Sequence, residues 1–597
     1  MRISRIQIQN FRNFHMLDIA LSEHAVIVGE NRVGKSNLIY ALRLVLDPSL
    51  PDSARQLKDE DFWDGLPRPL KKTDIISISV DFADFDDTLE YLAVLGEFPV
   101  SKKPMVARIT YVFGPKAAAK DGAIKESDYE FFIYGADKPE TRIGSEFRRR
   151  LPLDLLPALR DTESDIANWR RSPLRPLLDE VSIRIDRDKL NDLANKISEA
   201  TDAVTETPEI EDLANVISRR LSDMVGTAHA PDMDFGFSPT EPERLLRALR
   251  LFIDDGKRAI GEASLGSANL LYLALKTLEL DLLVQKAQRD HTFLAIEEPE
   301  AYLHPHLQRM VYRDFLRRRT HQEGQPAAKR PATTVLMTTH SPHIVSVAPL
   351  NSLVLLRKSV DEDASGGVST AQLTLADHER QDLERYLDVT RGEMLFARGV
   401  LLVEGEAELF LLPILAKLNG FDFDALGITV CSVAGANFTP YVKLLGHKGL
   451  NLPFAVLTDR DPQAGGANLG DARVLRLLEH VVDAPGRAGK NAAALLAMAP
   501  TVGLFLNQHT LEIDLFDSGL HLSMASTLTE LAESVPARAR AASWRMDPAS
   551  CDRAQLLRDI DSIGKGRFAQ RLASNIKEQV CPQYMLAAIA YVAAQCQ

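Results

Sequence analysis

Eight residues of this chain, Gly29-Glu30-Asn31-Arg32-Val33-Gly34-Lys35-Ser36, match G-x-x-x-x-G-K-[ST]. They lie between an apolar run, His24 to Val28, and a helical pattern, Asn37 to Leu46. A strand, a glycine-rich turn and a helix in that order form a phosphate cradle. The loop backbone from Gly29 through Asn31 to Gly34 turns its N–H groups inward, Lys35 reaches the β/γ-phosphates, and Ser36 ligates Mg²⁺. Asn37 stands at the helix start, where the field favours an anion. A glycine-rich surface turn would not need this flanking pattern. The motif predicts an α/β core that binds a nucleoside triphosphate, read as ATP.

At 597 residues, the chain is too long for one ordinary core, so two to four domains are expected. No apolar run is long enough to span a bilayer, so no membrane partner is expected. The first residues carry no signal-peptide core. Four scattered cysteines, Cys431, Cys551, Cys581 and Cys596, form no metal-ligand pair and fit a reducing, cytoplasmic setting. The net charge of −13 argues against a broad basic coat but not against a local groove. Basic clusters at Arg148-Arg149-Arg150, Arg170-Arg171 and Arg317-Arg318-Arg319 are ordinarily solvated helix faces and carry no nucleic-acid claim alone.

Along the first half, Ile3 to Ile8 alternates like a strand and leads to Asn10-Phe11-Arg12-Asn13-Phe14. Thr73 to Phe85 and Pro104 to Tyr134 read as antiparallel β structure. From Leu151 to Asp232 the pattern turns helical, with an echo of Asp192-Leu193-Ala194-Asn195 in Asp212-Leu213-Ala214-Asn215. Ser264-Leu265-Gly266-Ser267-Ala268-Asn269 opens an apolar helix, where Ser264 and Gly266 can present polar groups to an anion. The strand Phe293 to Ile296 ends in Glu297 and Glu298. Glu297 is assigned to the Mg²⁺ shell and Glu298 to the attacking water. Thr333 to Thr338 is a further strand that delivers His340, a candidate contact to the γ-phosphate or water.

These segments resemble the head of an ABC-type ATPase of the RecF and structural-maintenance-of-chromosomes kind. Asn10 to Phe14, Glu297 to Pro305 and Thr339 to Pro342 are similar to that group's N-terminal, Walker B/D-loop and His-switch segments. Ser264 to Asn269 resembles a degenerate signature motif, and Gln56 is the nearest Q-loop candidate. The resemblance implies a homodimer, because one protomer's signature completes its partner's ATP site.

A second centre follows. Residues 359–372 read as a loop, and Glu379 to Leu395 as a helix. Val400 to Val403 is an apolar strand ending at Glu404, with Glu408 one turn into the next helix. Ile428 to Val433 is a second strand. A third, Phe454 to Leu457, ends at Asp459-Arg460-Asp461. Carboxylates at parallel-strand ends lie where open α/β sheets place their sites, and oxygen ligands suit Mg²⁺ or Mn²⁺. A lone strand-end acid is usually a solvated cap, whereas ordered acids on successive strands are a candidate site. In the tail, Glu512 is a candidate further ligand and Lys565 a candidate stabiliser of phosphate charge.

This set resembles the Toprim fold, and an ABC ATPase joined to Toprim resembles the overcoming-lysogenization-defect (OLD) nucleases, with a looser likeness to their class 2 branch. Glu404, Glu408, Asp459, Asp461, Glu512 and Lys565 fall on that family's nuclease positions. The expected fold class is α/β: an ABC head with a helical insert, then a Rossmann-like Toprim sheet. The expected division is 1–150 and 241–390 for the ATPase, 151–240 for a dimerising insert and 395–597 for Toprim. The resemblance implies an ATP-regulated, metal-dependent DNA endonuclease using a two-metal pair. It also implies a role in phage defence or DNA processing, assembly as a dimer or higher oligomer, and a helicase-like partner. Alternatives are a RecF/SMC-like repair or tethering ATPase with a non-catalytic Toprim domain, and a primase-type nucleotidyl transferase.

Overall fold

A computed structural model describes residues 1–596 except 117–125, 159–161, 170–171, 226–233, 236–240, 254–257, 260–263, 319–332, 360–362 and 463–467. The Arg170-Arg171 pair, Asp361-Glu362 and the side chains of Arg317-Arg318-Arg319 therefore lie outside the described residues. The chain divides into one unit of Met1–Leu156 with His291–Gln597 and a second of Pro157–Asp290.

The first unit contains three sheets. One is antiparallel and begins with Arg2–Phe11, paired on one side with Phe14–Ala20 and on the other with Ile76–Ala83. Its alternation is broken by a bulge between Ile3 and Arg5, which lets Ile3, Ile6 and Ile8 all face the core. Met105–Pro115 and Tyr129–Gly135 extend this sheet, as the β-rich runs predict.

The second sheet has Ala25–Gly29 at its centre, flanked by the parallel strands Thr333–Thr338 and Leu353–Lys358. Thr292–Glu297 pairs with Thr333–Thr338. The apolar helix Lys35–Leu46 buries Leu38, Ile39, Leu42, Val45 and Leu46 in a core shared by both sheets.

Three expectations change here. Leu153–Leu156, expected within the helical stretch, is a strand parallel to Phe293–Ile296. Four residues are too few to show a period, and burial against a strand some 140 positions away decides the outcome. Ser365–Ser369, expected in a loop, forms a hairpin with Val354–Lys358 despite Gly366 and Gly367. The helix expected over Glu379 to Leu395 is broken: Asp377–Tyr386 ends, and Asp388 caps a new turn at Val389–Gly392 by accepting the Arg391 N–H.

The third sheet is wholly parallel, with Gly399–Val403 between Ile428–Ser432 and Phe454–Thr458, and Leu504–Leu506 at its edge. All five residues of Gly399–Val403 and of Phe454–Thr458 are buried, as strands covered on both faces require. The C-terminal helix Gln583–Cys596 packs Met585, Ile589 and Val592 into that core.

Among the described residues the second unit is mainly helical, with one short antiparallel pair, Phe252–Ile253 with Arg258–Ala259. Arg187–Thr205 and Pro208–Val225 carry the echoed sequence, whose Ala194 and Ala214 are buried. Leu193, Ile197, Val204, Leu213 and Val216 on the same helices are exposed. Helix Leu265–Gln285 is capped by Ser264, whose hydroxyl accepts the Ser267 N–H at 3.2 Å. Gly266 lies in the first turn of that helix.

Candidate active sites

The nucleotide motifs meet at the C-terminal ends of three adjacent parallel strands, Ala25–Gly29, Thr333–Thr338 and Thr292–Glu297. Gly34 has φ 97°, and a Cβ there would collide with the Asn13 amide, so glycine alone fits. Lys35 is buried, and its Nζ donates to the carbonyls of Gly29 at 3.0 Å and Glu30 at 2.8 Å. Burial pulls its ammonium below the usual lysine range, against the opposing charges of Glu298 and Glu300. Ser36 follows in the first turn of the helix, and Asn31 lies exposed in the loop. Asn37 is engaged within the protein: it donates to Asn13 at 2.8 Å and accepts from Arg12 at 2.8 Å. Gln56 donates to the Tyr129 carbonyl at 3.0 Å.

Glu297 closes its strand, and Glu298 follows in a left-handed conformation, φ 42°. The His340 ring lies 3.8 Å from the Glu298 carboxylate. Burial and Lys35 pull the imidazole down, so it is neutral near neutral pH. Sequence reasoning missed Glu300. Its carboxylate accepts the His340 N–H at 2.6 Å and the Thr339 hydroxyl at 2.9 Å, which fixes the His340 segment against the acidic turn. Ser264 and Gly266 belong to the second unit.

In the third sheet, Glu404 follows Gly399–Val403, and Asp459 and Asp461 follow Phe454–Thr458. Glu408 is buried in the first turn of Glu406–Leu418, and Glu512 is buried in Leu511–Leu515. Burial, and then the charges of Glu404, Glu408, Asp461 and Glu512, push the Asp459 carboxyl up to about 8. Burial, with Glu404 and Glu512, pushes Glu408 up to about 7. Folding thus brings five carboxylates from four segments into one field. Asp461 has left-handed backbone, φ 49°, a strain also seen at Glu298. Lys565, more than a hundred positions after Asp461, joins the group with Nζ 3.2 Å from Glu512. Burial lowers the Lys565 ammonium, but Glu512, Asp561 and Asp459 outweigh it and leave it raised.

Three residues without a sequence signature hold these acids. Arg473, on helix Leu469–Val481, donates to Glu404 Oε1 at 2.5 Å and to Asp461 Oδ2 at 3.4 Å. Glu404 Oε1 also accepts the Asp459 N–H at 3.0 Å and the Thr458 hydroxyl. That oxygen is saturated, and Oε2 makes no hydrogen bond among the described residues. Asn507 donates to Asp459 Oδ1 and leaves Oδ2 in the same way. An isolated Arg, Thr or Asn is invisible to motif reading.

Does this set suit a hard cation? Every candidate ligand is a carboxylate, the class Mg²⁺ and Mn²⁺ prefer. Glu512 Oε2 is buried without a hydrogen-bond partner, a cost that a cation would relieve. As they stand, the side chains do not close a chelate: among the described residues no group of three His, Cys, Asp or Glu is placed to hold an ion. The donor chemistry fits, and loading requires small side-chain movements of the carboxylates.

The comparisons with known proteins find one family match over each candidate site. Residues 25–346 match the family described as AAA domain, putative AbiEii toxin, Type IV TA system. Residues 395–461 match the TOPRIM domain of overcoming-lysogenization-defect-like proteins. The chain is 26% identical over 477 residues to the OLD nuclease of Thermus scotoductus, covering 77% of this chain and 82% of that protein. It is 22% identical to the Old nuclease of Escherichia phage P2, covering 73% of each. Among solved structures, the C-terminal region of the Burkholderia pseudomallei OLD protein is 40% identical, covering 34% of this chain and all of that one, at TM-score 0.32. With the ATPase family spanning over half its length and an OLD-type TOPRIM domain following in order, this chain belongs to the OLD family.

Proposed function

We propose that the protein is a DNA endonuclease whose phosphodiester hydrolysis occurs at the Glu404–Asp459–Asp461 centre under the control of its ATPase. The observation that carries this reading is the convergence of Glu404, Glu408, Asp459, Asp461 and Glu512 with Lys565 at one sheet edge. These carboxylates would hold a pair of Mg²⁺ or Mn²⁺ ions, which when bound activate water and stabilise the attacking and leaving oxygens. Lys565, drawn toward Glu512 and Asp459, offsets negative charge that builds on the phosphate during in-line displacement. Arg473 and Asn507 keep one oxygen each of Glu404 and Asp459 engaged, so the other stays aimed at the reacting group.

At the other centre, Lys35 and the loop N–H groups bind ATP phosphates, Ser36 and Glu297 hold their Mg²⁺, and Glu298 with His340 orients water. Ser264 and Gly266 would face the partner protomer's nucleotide. The exposed apolar residues of the second unit's helices support a homodimer. Glu30 of the phosphate loop pairs with Arg398 at 2.9 Å, one residue before the strand that ends at Glu404. An ion pair this exposed is worth only about 0–1 kcal/mol, but it marks a short path between the two centres. A role in phage defence beside a helicase-like partner is part of the proposal. Among the described residues no helix is long and apolar enough to cross a membrane.

The deciding experiment incubates supercoiled and linear DNA with Mg²⁺ or Mn²⁺, with and without ATP. Cleavage abolished by EDTA supports the reading. DNA binding without cleavage under every metal condition favours the tethering ATPase instead, and nucleotide incorporation into product favours the primase type.

Two further outcomes are expected. Arg473→Gln should weaken Mn²⁺ binding by about 10–100-fold, the scale of losing an outer partner of a ligand. Titration calorimetry checks this, and excess Mn²⁺ should restore turnover; unchanged affinity removes Arg473 from the site. The second outcome concerns protons. Asp459 and Glu408, raised to about 8 and about 7, retain protons when folded at pH values where an unfolded carboxyl has lost them. The native chain then binds more protons than the unfolded one, so stability in EDTA should fall as pH rises from the ordinary carboxyl range to about 8. Metal binding must expel those protons, so affinity should rise over that window. Calorimetry in two buffers of different ionisation heat reads the protons released, and zero release contradicts the assignment.

A further inference from the structure

A cavity of about 510 Å³ lies beside the acidic cluster and is lined by Phe505, Asn507, Gln508, His509, Gln583 and Tyr584 among others. Its size falls within the ~300–1,000 Å³ range of small-ligand sites. We propose that it is a subsite for one unpaired nucleobase of the cleaved strand, adjacent to the scissile phosphate. The proposal rests on the nuclease reading.

Two backbone or side-chain links bind the cavity to the catalytic aspartates. Asn507 forms the shared wall: its Nδ2 donates to Asp459 and its Oδ1 accepts the Arg460 N–H at 2.7 Å. The His509 carbonyl accepts the Asp461 N–H at 3.4 Å. A group seated in the cavity is therefore within one residue of both members of the Asp-x-Asp pair.

The lining chemistry selects a base over a phosphate. No Lys or Arg lines the cavity, and a phosphate site without a cation would be unusual. Its two carboxylates are already engaged, Asp514 with the His509 ring at 3.5 Å and Asp517 with Arg553 at 2.6 Å. The side-chain amides of Gln508 and Gln583 are exposed and make no hydrogen bond among the described residues. Free amides pair with base edges through a donor and an acceptor at once. His509 is half exposed, and its ring is oriented by buried Asp514, which also accepts the Gln508 N–H at 2.7 Å. A flat ring at the cavity wall is a stacking platform for a base of any sequence.

The test uses the full chain and a defined oligonucleotide whose cut bond has been mapped. Each nucleotide flanking that bond is replaced in turn by an abasic residue. One position should lower kcat/KM by at least about fivefold, the lower end of what base stacking contributes. In the double variant His509→Ala, Gln583→Ala, both surface side chains, intact DNA should be cut as slowly as the abasic substrate, and the abasic penalty should vanish. A penalty that persists in the double variant, or no position-specific penalty in the wild type, overturns the subsite while leaving the nuclease standing. No cleavage of any DNA overturns the nuclease reading and this one with it.

Discussion

Asp459→Ala should abolish DNA cleavage and leave ATP turnover at the wild-type level. The expected loss is at least about 10²-fold, the scale of removing one major preorganised stabiliser. Asp459 is the carboxylate on which the charges of Glu404, Glu408, Asp461 and Glu512 all act, so it sits central to the cluster. Asn507 holds one of its oxygens in place. The substitution also removes the most strongly raised carboxyl of the site, so the variant should fold at least as stably as the wild type in EDTA. Plasmid nicking measured beside ATP hydrolysis reads both halves of the expectation. Normal cleavage by Asp459→Ala would move the nuclease centre elsewhere.

Lys35→Ala should reduce ATP hydrolysis by about 10²-fold or more, again the cost of one major electrostatic stabiliser, while metal binding at the Toprim carboxylates is unchanged. Lys35 is held ready by the Gly29 and Glu30 carbonyls, and burial has already removed much of its hydration. Its ammonium can transfer to phosphate oxygens with little desolvation left to undergo. Arg398 pairs with the exposed Glu30 side chain of the loop, whereas Lys35 is held by the loop carbonyls. A phosphate-release assay tests the first half and metal calorimetry the second. Wild-type ATP turnover would refute the phosphate-loop assignment.

Local order makes the two chemistries readable from the chain alone. The loop Gly29 to Ser36, the acids at Glu297 and Glu298, and the acids at Glu404 and Asp459 each follow a buried apolar strand. Such a strand declares itself in four or five consecutive residues, and the chemistry sits at its end. Sequence neighbours supply everything that reading needs. Leu153–Leu156 shows where this fails, because its partner strand begins after Asp290 and nothing in four residues announces it. Gly366 and Gly367 look like loop formers, yet pairing with the neighbouring strand Leu353–Lys358 holds them extended.

The same division separates ligands from the residues that hold them. Glu404, Glu408, Asp459, Asp461, Glu512 and Lys565 are recognisable because their order along the chain resembles a known pattern. Glu300, Arg473 and Asn507 are not, since each acts through a hydrogen bond to a residue 12 to 69 positions away. By itself the sequence determined which buried strands end in the phosphate-loop motif and which end in acids, because strand burial and the residue that ends it are local properties. Only the tertiary structure decided which oxygen of each carboxylate is free, how far burial raises Asp459 and Glu408, and that a cation-free cavity opens beside them. Those depend on contacts, desolvation and charge between segments that chain order leaves far apart.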